Sequence, residues 1–159
     1  MRISELMTRN VATVDTRSTL ADAAKLMWIR DCGVLPVVDA DTGKLCGIIT
    51  DRDITMGTMT QNRAPATIPV TMSMSKSPIT CRPEASAEEA FETLGKYQIR
   101  RLPVLDKDDK LVGIVSINDL ARRAVSTDSH HAKDAVRSRL AKTLAAICKP
   151  NVVAQAAEV

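Results

Sequence analysis

The stretch Met7 to Asp39, MTRNVATVDTRSTLADAAKLMWIRDCGVLPVVD, lies without a gap over Met74 to Asp106, MSKSPITCRPEASAEEAFETLGKYQIRRLPVLD, at an offset of 67 residues. Met7 falls on Met74, Thr13 on Thr80, Ala23 on Ala90, and Leu35-Pro36-Val37 on Leu102-Pro103-Val104. One residue is then lost in a turn, and KLCGIITDRDI from Lys44 lies over KLVGIVSINDL from Lys110 at an offset of 66. So many matches in one register make the chain an internal duplication, and the duplicated unit decides the fold.

Each copy reads the same way. In the first, Leu20, Ala23, Ala24 and Met27 follow the i, i+3, i+4, i+7 spacing of a buried helix face. Ala87, Ala90, Phe91 and Leu94 repeat it in the second. Ser86 with Glu89 predicts a capping box, and Thr19 with Asp22 approximates one. Two short β-rich runs follow, Val34 to Val38 and Leu45 to Ile49, joined by a turn with hairpin chemistry from Asp39 to Gly43. The second copy offers Leu102 to Leu105 and Leu111 to Val115, and another helix is predicted just after Thr50 and just after Ser116. The unit is strand, helix, strand, strand, helix.

A single copy is too short to bury much core, so two copies stacked about a pseudo-two-fold axis are expected. The fold class expected is α/β (α+β), with two β-α-β-β-α repeats at residues 1–60 and 70–127. The segment from about Gly57 to Pro69 reads as a linker, with its boundaries set at 61–69. Outside the duplication, Ala132, Val136, Leu140, Leu144 and Ile147 form an apolar stripe at helical spacing, with Asp128 or Ser129 as cap and Pro150 as stop. Lys133, Arg137, Arg139 and Lys142 cover its other faces. This C-terminal amphipathic helix is placed at 128–148 and a flexible tail at 149–159. Either its own body or a second copy of the chain would cover the stripe.

Composition narrows the function. The chain has 159 residues and a formal charge of +3, too small an excess to argue for nucleic acid. Trp28, Phe91 and Tyr97 are the only aromatics, too few for a base-stacking platform. No apolar run approaches the roughly 20 residues of a membrane span, and MRISELMTRN carries no leader pattern, so a cytoplasmic location is expected. Cys32, Cys46, Cys81 and Cys148 are scattered without a C-x-x-C pair and read as small apolar side chains, with a thiol redox role as the alternative. A metal site is not expected, because only the adjacent His130 and His131 are available to join the cysteines.

I-x-x-L-M-T near the start, G-V-L-P-V-V-D and G-I-I-T-D-R-D-I, followed by I-R-R-L-P-V-L-D and G-I-V-S-I-N-D-L, resemble the cystathionine-beta-synthase-type (CBS) domain family over about residues 1 to 125. With A-I-C-K-P near the C-terminus, the layout also resembles the hypoxic-response CBS proteins of actinobacteria. The resemblance implies a stand-alone tandem pair with two clefts between the repeats. It also implies no catalysis and no obligatory cofactor. AMP, ADP, ATP or another adenosyl ligand would be sensed, and a homodimer would signal to a separate protein.

The same resemblance points to a [ST]-x-x-[DN] element, here Thr50 to Asp53 and Ser116 to Asp119. A carboxylate can accept both hydrogen bonds of a ribose diol, and a hydroxyl beside free helix N–H groups suits phosphate. The same pattern is also a plain helix cap. Arg100 and Arg101 stand where the first copy has Gly33 and Val34, and guanidinium forks suit phosphate. Family analogy adds the loop Met7 to Ala12, with Met7, Asn10 and Ala12, to the Asp119 cleft. It adds Met74 to Ile79, with Ile79, to the Asp53 cleft. The Asp119 cleft is expected to take any phosphorylated nucleotide. The Asp53 cleft, with Arg52 as a partial substitute, is expected to take a ligand without phosphate or none.

An enzyme is the first competing function, but the sequence holds no phosphate loop, nucleophile elbow or metal-ligand constellation. A ligand-free homodimeric interaction module is the second, and a thiol redox sensor the third.

Overall fold

The computed structural model describes residues 1–126 and 130–149, with side chains described outside 123–133. The cap residues Asp128 and Ser129, the stop Pro150, the imidazoles of His130 and His131, and the 149–159 tail beyond Lys149 lie outside those limits. Eleven strands and helices follow in order: β1 (Val14–Asp15), α1 (Leu20–Arg30), β2 (Val34–Val38), β3 (Leu45–Thr50), α2 (Asp51–Gln61), β4 (Ser75–Lys76), α3 (Ala87–Tyr97), β5 (Arg101–Leu105), β6 (Leu111–Ser116), α4 (Ile117–Ser126) and α5 (His130–Ile147). The repeated strand-helix-strand-strand-helix unit is present as a mixed α and β fold. In the second copy the lead-in before α3 carries single-residue bridges at Cys81 and Ser86 rather than a strand.

The chain divides into two compact units that do not coincide with its two copies. One is built from residues 8–80 and 103–113. Its four-stranded sheet has the order β1-β2-β3-β4. β1 runs parallel to β2, while β2–β3 and β3–β4 are antiparallel, with Leu35 opposite Ile49 and Ile48 opposite Ser75. Leu20, Ala23, Leu35, Val37, Ile49, Ile68 and Val70 are fully enclosed in its core. Ala24, expected on the buried face of α1, is exposed instead. The helix closes its core with Leu20, Ala23 and Met27 alone.

The stretch expected to be a linker is largely structured. Gly57 to Gln61 completes α2, and 3-10 turns occupy Pro65–Thr67 and Val70–Met72. Leu20 N donates to Ile68 O at 2.9 Å and Val70 N to Ser18 O at 2.9 Å, docking this lead-in on the start of α1. Gly57 permits that docking, since a Cβ there would stand 2.2 Å from Ser73 Oγ.

The other unit comprises residues 1–7, 81–102 and 114 onward. Its N-terminal strand of chain docks on α3 in the equivalent manner: Ile3 N donates to Ala85 O at 2.9 Å and Ala87 N to Met1 O at 3.0 Å. Each lead-in therefore serves the helix of the other copy, which is why the compact units interleave the sequence. Ala87, Ala90, Phe91 and Leu94 are all buried, as their spacing predicts.

The residue lost between the copies comes from the β-turn. Asp39 N bonds Lys44 O at 2.8 Å across a turn with Gly43 at φ +68°, and Asp106 N bonds Lys110 O at 2.9 Å with Asp109 at φ +59°. In both, the aspartate carboxylate accepts turn amides, from Thr42 N at 2.8 Å and from Lys110 N at 3.0 Å.

The C-terminal helix α5 docks on α3 and α4 of its own unit. Thr143 Oγ1 donates to Phe91 O at 3.3 Å, and Gln98 Nε2 donates to Ala146 O at 3.0 Å, satisfying a carbonyl near the helix end. The stripe drawn from sequence is rotated slightly in the fold: Thr143 is buried, while Leu144 is 41% exposed.

Candidate functional site

All four helices of the duplicated units begin with a reciprocal cap. Thr19 and Asp22, Thr50 and Asp53, and Ser86 and Glu89 each form a full capping box. At α4, Asp119 N donates to Ser116 Oγ at 3.2 Å and Ser116 N to Asp119 Oδ2 at 2.8 Å. A Ser or Thr at this position relieves one orphan helix amide, and the acid three residues on secures the turn entering the helix. Thr50, Asp53, Ser116 and Asp119 are thus helix caps in this structure. A ligand role must use what the caps leave over.

At the β6–α4 corner, Ser116 Oγ also donates to Asp119 Oδ2 at 2.6 Å, so its proton is directed inward. Asp119 is 8% exposed, and its Oδ1 pairs with Arg122, one helical turn further on. Sequence reasoning overlooked Arg122, although an i, i+3 spacing from an acid on a helix signals such a pair. Ile117 N donates to Arg100 O at 3.0 Å, which pins the start of β5 beside the start of α4. Ser116, Asp119, Arg100 and Arg101 therefore come together. Arg100 is exposed, Arg101 half-buried, and the described residues give neither guanidinium a partner. The next amide, Asn118 N–H, has no intrahelical acceptor at this helix start.

The β3–α2 corner has the same cap with different surroundings. Asp53 Oδ2 accepts from Thr50 N at 2.8 Å and from Thr50 Oγ1 at 2.8 Å. Asp51 N donates to Gly33 O at 3.3 Å, the counterpart of the Ile117–Arg100 bond. Asp51 itself is the difference, because Ile117 holds its place in the second copy. Asp51 Oδ1 accepts from Arg52 N at 2.7 Å, and a Cβ on Gly33 would stand 3.0 Å from Asp51 Oδ2. The protein's own carboxylate occupies this helix N-terminus, where a positive dipole end attracts an anion. Arg52 is exposed. The contrast of Asp51 with Ile117 was visible in the alignment and passed over.

The remaining predicted residues fall as follows. Met7 N donates to Ile3 O at 2.8 Å in the unit that holds Asp119. Asn10, exposed with φ +54°, and the half-buried Ala12 and Ile79 belong to the unit that holds Asp53.

The cysteines are free thiols; Cys148 is exposed and the other three are half-buried. Burial pushes the Cys81 thiol up to about 11. Cys46 is raised as well, by burial first and then by the charge of Asp39, and its Sγ lies 3.3 Å from Val37 O. Among the described residues no three His, Cys, Asp or Glu side chains cluster as metal ligands, and no helix is long and apolar enough to cross a membrane.

Two copies of one α and β unit, each turning from a strand into a helix through a [ST]-x-x-D cap, define a tandem domain pair. The chain belongs to the CBS-domain family: the sequence profile of the CBS domain matches residues 3–57 and 66–126. The CBS domain-containing protein YhcV of Bacillus subtilis is 41% identical over 127 residues, covering 80% of this chain and 88% of that one. Among solved structures, Hypoxic Response Protein I with two coordinated zinc ions superposes with a TM-score of 0.68 at 31% identity, covering 77% of this chain and 98% of that one. CBSX2 in complex with AMP gives 0.67 at 28% identity, over 78% and 96% of the two chains. The CBS pair of MJ0100 in complex with 5′-methylthioadenosine and S-adenosyl-L-methionine gives 0.69 at 28%, over 77% and 94%.

Proposed function

We propose that this chain is a non-catalytic regulatory module that binds an adenine nucleotide or related adenosyl ligand at the Ser116–Asp119 corner and signals its presence to another protein. The observation that carries the reading is the Ile117 N–Arg100 O bond, which sets the Arg100–Arg101 backbone beside the start of α4 and the buried Asp119. A carboxylate that accepts ribose hydroxyls beside a phosphate-binding fork suits a nucleoside monophosphate. The adenosyl compounds bound by CBSX2 and MJ0100 support the ligand class.

Each residue has a role in this reading. Asp119 Oδ1 receives a ribose hydroxyl as Arg122 swings toward solvent, which its 76% exposed side chain permits. Ser116 holds Asp119 in place and does not itself donate to phosphate. Asn118 N–H, Arg100 and Arg101 receive the phosphate, while Met7 lines the base. Thr50, Asp53 and Ile79 serve a second position whose phosphate place is taken by Asp51, so a ligand there lacks phosphate. The partners are a second copy of the chain and a separate regulated protein, in the cytoplasm.

A thermal-shift panel of AMP, ADP, ATP, adenosine, S-adenosylmethionine and NAD tests the reading. A ligand at about 100 times its dissociation constant adds about 2.7 kcal/mol, several degrees for a domain this size. AMP is expected to raise the melting temperature more than adenosine at equal concentration. A flat panel would replace this function with that of a ligand-free interaction module.

A further inference from the structure

The two capped corners differ in one more residue, a helical turn past the cap. At the 66-residue offset Arg122 corresponds to Met56. Arg122 pairs with Asp119 Oδ1, while Oδ2 of the same carboxylate takes the bonds of the cap, from Ser116 N at 2.8 Å and Ser116 Oγ at 2.6 Å. Met56, half exposed, offers only a thioether at the equivalent place and can supply Asp53 with no counter-charge.

The position of Arg122 on α4 gives it two anionic sites to serve. Residues four apart on a helix share one face, so Arg122 stands one turn along from Asn118, whose free amide opens the helix. Helical side chains lean toward the N-terminus, which carries a long side chain from position 122 over the turn that holds Asn118 and Asp119. The ion pair with Asp119 shows the guanidinium already turned that way. The Asp119 side chain is 8% exposed and that of Arg122 76%, so the arginine is the partner with room to move. A ribose hydroxyl that takes Asp119 Oδ1 must displace it. With a nucleoside, the arginine gives up its counter-ion and returns to water. With a nucleotide, it exchanges the carboxylate for a phosphate at the helix start. A phosphate monoester carries about −1.5 to −2 charge near neutral pH and presents oxygens that match the guanidinium fork. An exposed ion pair is a weak obstacle, so displacement alone discriminates little and the new pair carries most of the preference.

We propose that Arg122 makes the Ser116–Asp119 corner prefer nucleotides to nucleosides, holding Asp119 Oδ1 in the empty corner and moving to the phosphate when ribose arrives. The first copy, with Met56 in this place and Asp51 at the start of its helix, lacks both halves of the exchange. The inference rests on the nucleotide reading above and names a selectivity residue within it.

Arg122→Met, which writes the first copy's side chain into the second, separates the two roles. AMP and adenosine would each be titrated calorimetrically into the wild type, Arg122→Met and Arg122→Lys. In Arg122→Met, AMP is expected to bind about tenfold more weakly, through loss of a charge-assisted pair, and adenosine up to about fivefold more tightly, through loss of the competitor. Arg122→Lys keeps the charge and is expected to hold AMP within about threefold of the wild type. The stoichiometry of each titration reports the competent fraction, so a folding loss is not read as an affinity loss. Opposite shifts for the two ligands are the signature, since a purely structural residue would move both alike. Equal shifts in either direction, or none, would overturn the role of Arg122 and leave the corner standing as the nucleotide site. A wild-type chain that binds neither ligand would overturn the nucleotide reading and this role with it.

Discussion

At the β3–α2 corner Thr50 and Asp53 close a capping box around the start of a helix, and at the β6–α4 corner Ser116 and Asp119 close the same one. Around the first stand Gly33 and Asp51, so the helix N-terminus is already answered by an internal carboxylate. Around the second stand Arg100, Arg101 and Ile117, so no carboxylate takes the place that Asp51 holds in the first. Duplication has preserved the hydrogen bonds that make the corner and released the side chains that face outward from it. The outer helix faces differ in the same sense, with Phe91 and Gly95 beneath α5 but Ala24 and Trp28 lining an open groove. Equivalent frames carry unequal neighbours, and the inequality is where function is to be sought.

Three variants sharpen that comparison. Replacing both Arg100 and Arg101 with alanine removes the feature found at only one corner. AMP binding measured by calorimetry is expected to fall about 100-fold while adenosine changes less than about threefold, since charge-assisted bonds contribute about 1.5–3 kcal/mol each. Equal losses for the two ligands would break the phosphate assignment. Ser86→Ala, at a cap given no ligand role, is expected to cost about 1 kcal/mol in denaturant unfolding and leave ligand affinity unchanged. A change in affinity would show that the caps are not separable from the site. Arg122→Ala frees Asp119 Oδ1 from an ion pair whose Arg122 side chain is largely in solvent. Adenosine is expected to bind up to about fivefold more tightly, and weaker binding would assign Arg122 to the ligand rather than to its competitor.

Much of this was legible in the residues. The register of the duplication, the apolar spacing of α3 and the S-x-x-E signature at Ser86 each carry a local rule that the fold obeys. The exceptions have physical causes. The interleaving of the two compact units was hidden because Ile3 and Ile68 bond to helices far away in the chain, and nothing in their spacing records such partners. Ala24 fits the apolar period of α1 yet stays exposed, since one methyl says nothing about whether a helix will cover it. Leu144 belongs to the apolar stripe that either the chain's own body or a second copy was expected to cover; against its own body the place falls to Thr143, whose hydroxyl reaches the Phe91 carbonyl and whose methyl fits beside Gly95. At the site, the spacing of Thr50 to Asp53 and Ser116 to Asp119 could not separate a cap from a ligand contact. The structure shows the cap in both and sets unequal neighbours beside them, Asp51 at one and Ile117 at the other.

The most direct test of the account is a calorimetric titration of AMP into the wild-type chain, Asp119→Ala and Asp53→Ala. Loss of a buried carboxylate that holds ribose is expected to weaken AMP about 100-fold in Asp119→Ala, with a melting temperature lowered by only the few degrees that a lost cap contributes. Asp53→Ala is expected to keep AMP at unaltered strength. Wild-type affinity in Asp119→Ala, or a loss confined to Asp53→Ala, would contradict the claim that the Ser116–Asp119 corner is the nucleotide site.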